Sequence, residues 1–127
     1  MPDLTPPLAA RLVREHLARR GFADVEVIGV EDGLMPVRTD PGAGIVQAAI
    51  AALADVHQTA PVVYPTSPGS GPMYQLCGGI PAVSLGVGWA GSRAHAPNES
   101  IKVADFVAGI KVLGRLFHSL ASQRTAR

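Results

Sequence analysis

Ile80-Pro81-Ala82-Val83-Ser84-Leu85-Gly86-Val87 is short, aliphatic and nearly free of polar side chains. A run of this kind is expected of a strand buried on both faces, as in a parallel sheet covered by helices. Pro61-Val62-Val63-Tyr64 has the same character. Between the two, Met73 to Cys77 suggest a short helix, stopped by Gly78-Gly79. Beyond the second run comes Gly91-Ser92-Arg93-Ala94-His95-Ala96-Pro97-Asn98-Glu99-Ser100, then a long segment with helical spacing of apolar residues. Strands alternating with helices predict an α/β fold, with helices packed on a mostly parallel sheet.

Outward from that centre, a last helix is expected from near Val103 to about Ser122. Val103, Phe106, Val107, Ile110, Leu113, Phe117 and Leu120 are its expected buried face. Gly109 and Gly114 each cost roughly 1 kcal/mol relative to alanine, which predicts close packing at both. Upstream, Asp40-Pro41 marks a helix start, and Ile45, Val46, Ala49, Ile50, Leu53 and Val56 trace an apolar stripe behind it. Ala48, Ala49, Ala51, Ala52 and Ala54 allow that helix to lie close to a sheet. At the start of the chain, Thr5 is placed to cap a helix whose first position suits Pro6. Leu8, Leu12, Val13 and Leu17 share one of its faces, and Gly21 ends it. Val25, Val27 and Ile28 read as a short strand. Glu31-Asp32-Gly33 then breaks regular structure, and Met35 to Pro41 reads as a crossover. The composition change from Glu31 to Asp40 divides a small first unit from a larger second one.

Length and composition bound the function. The 127 residues are 47% hydrophobic and 17% charged, a globular composition with enough chain for one core. A net charge of +1 argues against a nucleic-acid or anionic membrane surface. No apolar run reaches the roughly 20 residues that cross a bilayer. The first seven residues lack the charged-then-apolar pattern of a secretion signal. Cys77 stands alone, so no internal disulfide is possible, which fits a reducing cytoplasm. Its expected role is that of a small buried hydrophobe.

Two loops are placed to do chemistry, each after an expected strand and before a helix. Gly69-Ser70-Gly71 brings backbone N–H groups and a hydroxyl, able to hold a carboxylate or phosphate. Its spacing is not that of a nucleotide-binding phosphate loop, and Ser70 lacks the Gly-x-Ser-x-Gly setting of a nucleophile. A plain flexible turn is the competing assignment. His95 lies before Ala96-Pro97, a dipeptide that holds the chain out of the helical region. Three roles are open to it: zinc ligand, general base or structural residue. A catalytic zinc takes three protein ligands. Glu31, Asp32, Asp40 and Asp55 offer carboxylates, but no spacing marks them as ligands. Arginines along the first helix, with His16 and His118, are expected on solvated faces.

Together, Gly69-Ser70-Gly71-Pro72-Met73, Gly86-Val87-Gly88 and Gly91-Ser92-Arg93-Ala94-His95-Ala96-Pro97-Asn98-Glu99 closely resemble the C-terminal part of the M20 family of zinc metallopeptidases. That family includes aminoacylases, carboxypeptidases, dipeptidases, deacetylases and desuccinylases. The resemblance covers the whole chain. It implies that residues 1–35 are a helix–strand remnant of a small α+β lid or dimerisation domain. Residues 36–127 would be the C-terminal part of the catalytic α/β domain. It further implies that His95 is a ligand to one of two Zn2+ ions, and that Gly69, Ser70 and Gly71 hold the carboxylate end of the substrate. Asn98 and Glu99 would shape the loop and the helix start, and Arg93 would be a substrate-side cation. Trp89 stands where relatives often carry histidine, which implies a changed pocket shape with metal binding intact.

The family's other metal ligands and its general base have no counterpart in this sequence. The expectation is therefore a fragment of a cytoplasmic amidohydrolase, cleaving a peptide or an N-acyl amino acid and inactive alone. Its expected partners are that substrate, the missing N-terminal portion of the enzyme and further copies of the chain, with neither nucleic acid nor membrane. The alternative is a non-catalytic module that binds a small carboxylate or a partner chain.

Overall fold

Ala48, Ala49 and Ala52 on one helix meet Val112 and Leu116 on another, and these five side chains are the buried centre of the larger half of the molecule. The computed structural model describes residues 3–29, 33–67 and 69–125. Among the described residues four helices form: α1 (Pro6–Arg19), α2 (Gly44–His57), α3 (Met73–Cys77) and α4 (Val103–Thr125). The chain divides into two compact units. The first comprises Met1–Arg38 and Tyr64–Pro81, the second Thr39–Val63 and Ala82–Arg127.

In the second unit, Asp40 opens the way to α2 through an Asx turn. Its Oδ1 accepts the Gly42 N–H at 2.8 Å, and the helix itself begins at Gly44. Gln58 ends α2 in the left-handed region, its N–H donating to the Ala54 carbonyl. The small alanine face of α2 does lie close to a neighbour, but that neighbour is α4. Alanines let two helix axes approach, and an ion pair between Arg115 Nε and Asp55 Oδ2 (3.1 Å) adds a rim contact.

The α/β assignment is not upheld: among the described residues there is no strand. Residues 82–88 form no regular element, with Val83, Leu85 and Val87 half-buried and Ser84, Gly86 and Gly88 exposed. Val83 and Leu85 pack on the α2–α4 core. The segment is thus covered on one side only, and the Ala82 N–H donates to Thr39 Oγ1 (3.1 Å) rather than to a ladder. Pro61–Tyr64 is likewise unpaired, with Val62 75% exposed. An apolar run supplies the side chains of a strand. The strand also needs a neighbouring backbone about 4.8 Å away to take its N–H and C=O groups, and no such ladder of hydrogen bonds forms among the described residues.

The face of α4 is corrected too. Val112 and Leu116 are buried, whereas Val103, Phe106, Val107, Ile110, Leu113 and Phe117 are exposed and Leu120 is half-buried. Gly109 is closely packed as expected, since a Cβ there would collide with Val87 Cγ1, but Gly114 faces open space.

In the first unit α1 has the expected bounds. Thr5 occupies its N-cap without a side-chain hydrogen bond, its carbonyl instead accepting the Ala9 N–H. Pro6 and Ala10 are buried while Leu12 and Val13 are exposed, so its apolar stripe is only partly covered. Of the helix and strand expected over residues 1–35, the helix forms, and no strand is present among the described residues. Val25 and Ile28 are exposed, and the Val27 carbonyl accepts a hydrogen bond from Arg14 Nη2 at 3.1 Å. Glu31 and Asp32 lie outside the described residues. Met73–Cys77 is the short helix expected, ended by Gly78 and Gly79 at positive φ. Cys77 is free and only half-buried.

Candidate functional site

His95 sits at the tip of a closed loop in the second unit. The Ser92 N–H donates to the Trp89 carbonyl, the Ala96 N–H to the Arg93 carbonyl and the Ser100 N–H to the Ser92 carbonyl, each at 2.9 Å. The last of these returns the chain to its point of departure. Trp89 fastens the neck: its indole N–H donates to the Ser100 carbonyl at 3.3 Å. Lys102 Nζ stands 4.5 Å from the centre of the same ring, a cation–π contact. Gly91 is required beside it, because a Cβ at that position would collide with the ring. The Lys102 carbonyl then accepts the Phe106 N–H at 3.0 Å, so the base of the loop continues into α4.

Within the loop, Arg93, His95 and Asn98 all adopt left-handed backbone, with φ of 56°, 60° and 61°. Each such residue costs about 1–2 kcal/mol, less for asparagine, which visits this region more readily. Three in six positions persist only if their surroundings impose them, and such outliers collect at functional sites. His95 is non-helical as the sequence indicates, but left-handed rather than extended. Its imidazole is exposed, so it is not packed in an apolar interior. Arg93, Asn98 and Glu99 are exposed beside it.

The glycine loop belongs to the first unit. The Gly69 N–H donates to Ser67 Oγ (3.2 Å), and the Gly71 carbonyl accepts the Met73 N–H (2.8 Å). The N–H groups of Ser70 and Gly71 and the Ser70 hydroxyl have no partner among the described residues. These three donors are what the loop can offer an anion. α3 has only five residues, so its dipole adds little. Pro68, which precedes the glycine loop, lies outside the described residues.

A metal needs more than one imidazole. Among the described residues, no three His, Cys, Asp or Glu side chains come together. Asp40 is engaged by the Gly42 N–H and Asp55 by Arg115. His16, His57 and His118 are exposed on helices. The described residues therefore do not fit a complete zinc centre. Sequence reasoning singled out the string around His95 but missed the clamp at its base. The signal was present: the only tryptophan lies two residues before a glycine and thirteen before a lysine that immediately precedes a helix.

The family model of peptidase family M20/M25/M40 matches residues 8–119, and the chain belongs to that family. Among solved structures, the chain is similar to an M20 family metallo-carboxypeptidase, Sso-CP2 from Sulfolobus solfataricus, with 34% identity and a TM-score of 0.73. The match covers 91% of this chain and 27% of that one, so the chain spans little more than a quarter of the length of the structure it resembles. No curated protein is matched. Among the described residues, no helix is long and apolar enough to cross a membrane.

Proposed function

We propose that this chain contributes two parts of an M20-type amide-hydrolysing centre whose remaining groups come from other polypeptide. The first part is the Gly69–Gly71 loop, which holds the carboxylate of a peptide or N-acyl amino acid through the Ser70 and Gly71 N–H groups and the Ser70 hydroxyl. The second is His95, offered as one ligand of a two-zinc site. Since the described residues do not complete that site, the chain by itself is expected to be inactive. The observation that carries this proposal is an exposed imidazole on a loop closed by backbone hydrogen bonds, within a sequence that the M20 family model matches from residue 8 to 119. A single free thiol suits a reducing cytoplasm. The exposed apolar face of α4 suits association with further polypeptide, whether an N-terminal portion or a second copy.

Complementation tests it. The chain is mixed with a separately produced N-terminal portion of an M20 peptidase, and hydrolysis of N-acyl amino acids is followed. Activity is expected to appear with zinc. His95→Ala should abolish it, while His16→Ala and His118→Ala leave it within about twofold, both being exposed side chains on helix surfaces. Equal losses from all three variants would remove His95 from the centre. No activity from any mixture, with a stable monomer, would favour the non-catalytic carboxylate-binding module.

A further inference from the structure

We propose that Trp89 is the positioning residue of the His95 loop: its ring and indole N–H clamp the loop at its neck and so impose the left-handed backbone that presents the imidazole. This deepens the preceding assignment and rests on His95 being its functional imidazole. Three independent contacts converge on this one side chain. The indole N–H donates to the Ser100 carbonyl, the ammonium of Lys102 lies on the ring face, and the ring fills the space a side chain at residue 91 would need. The Trp89 carbonyl makes a fourth contact, accepting the Ser92 N–H. These contacts join position 89 to positions 91, 92, 100 and 102, so both ends of the loop are tied to one residue. Between those ends lie the three left-handed residues, which have no comparable anchor. Among them are no side-chain hydrogen bonds within the described residues. The ring therefore acts on the imidazole through the backbone of the loop.

The test uses the full chain alone, by nuclear magnetic resonance, so that it depends on neither zinc nor catalysis. Backbone carbon shifts of Arg93, His95 and Asn98 report left-handed conformation directly. Trp89→Ala should move all three towards random-coil values and speed Ser100 amide exchange by roughly tenfold or more, a local opening. Shifts of Ala49 and Leu116 in the helical core should stay put. Trp89→Phe keeps a ring but loses the donor, and should fall between wild type and Trp89→Ala. Should Trp89→Ala not fold, Trp89→Phe and Gly91→Ala carry the test. Gly91→Ala should disturb the loop when Trp89 is present and far less in a Trp89→Ala or Trp89→Phe background. Unchanged His95 shifts in Trp89→Ala, or in Trp89→Phe and Gly91→Ala, would overturn the proposal while leaving the M20 assignment intact. The reverse pattern, shifted His95 signals together with a His95→Ala chain still active on complementation, would overturn the assignment and leave the clamp standing.

Discussion

At residue scale, the cost of the left-handed positions is not shared equally. Asparagine visits φ near +60° more readily than arginine or histidine, whose larger side chains are rarer in this region. Arg93 and His95 therefore hold most of the strain in their loop, at φ of 56° and 60°. Arg93→Gly is expected to stabilise the chain by about 1 kcal/mol, since relief of the crowding exceeds the added entropy of the unfolded chain. Asn98→Gly should be close to neutral. Urea denaturation of the two variants against wild type checks the pair. Destabilisation by Arg93→Gly would mean that the guanidinium makes a compensating contact. None of this was legible in the sequence. Pro97 signals an irregular segment, but nothing in arginine or histidine announces left-handed backbone, which is set by loop closure from Ser92 to Ser100.

At the scale of elements, α4 separates what periodicity can and cannot decide. Its apolar residues occupy roughly 200° of the circumference at 100° per residue, more than any single neighbour covers. Spacing therefore identifies a helix and gives its start at Val103, but cannot choose which edge of so wide an arc is buried. The structure buries the edge bearing Val112 and Leu116. The starts of α1 and α2 and the stops of α1 and α3 are legible because Thr5-Pro6, Asp40-Pro41 and the glycines at 21, 78 and 79 act locally, whereas nothing in Gln58 announces that it ends α2. Residues 61–64 and 80–87 were misread as strands for the complementary reason, that pairing is not a local property. The two glycines of α4 make this distinction measurable. Gly109→Ala drives a methyl group into Val87 and is expected to cost about 1–3 kcal/mol, the usual range for overpacking. Gly114→Ala meets open space and should stabilise by about 1 kcal/mol from helix propensity alone. Thermal unfolding of both variants should shift in opposite directions. A gain from Gly109→Ala would mean that residues 82–88 yield readily to α4.

For the whole molecule, the balance of covered and open apolar surface is the governing fact. Buried hydrophobic side chains among the described residues are confined to Ala10, Val46, Ala48, Ala49, Ala52, Val112 and Leu116, four of them alanines. Alanine removes little area from water, so the core contributes modestly at about 25 cal/mol per Å2. Ile110 and Phe117, two turns apart on α4, remain 55% and 66% exposed, with Phe106 beside them. A face of this kind is stabilised by covering it, and in the absence of another partner a second copy is the available cover. We therefore expect sedimentation equilibrium of the chain alone to show concentration-dependent association. Replacing Ile110 and Phe117 together by serine should weaken that association. Because both side chains are already open to solvent, each change should alter monomer stability by only about 0.5 kcal/mol or less. If the double variant associated as tightly as wild type, the α4 face would not be the contact. If it unfolded, the face would be part of the core despite its exposure. Association lost with folding kept is the outcome that identifies this face of α4 as the contact between copies.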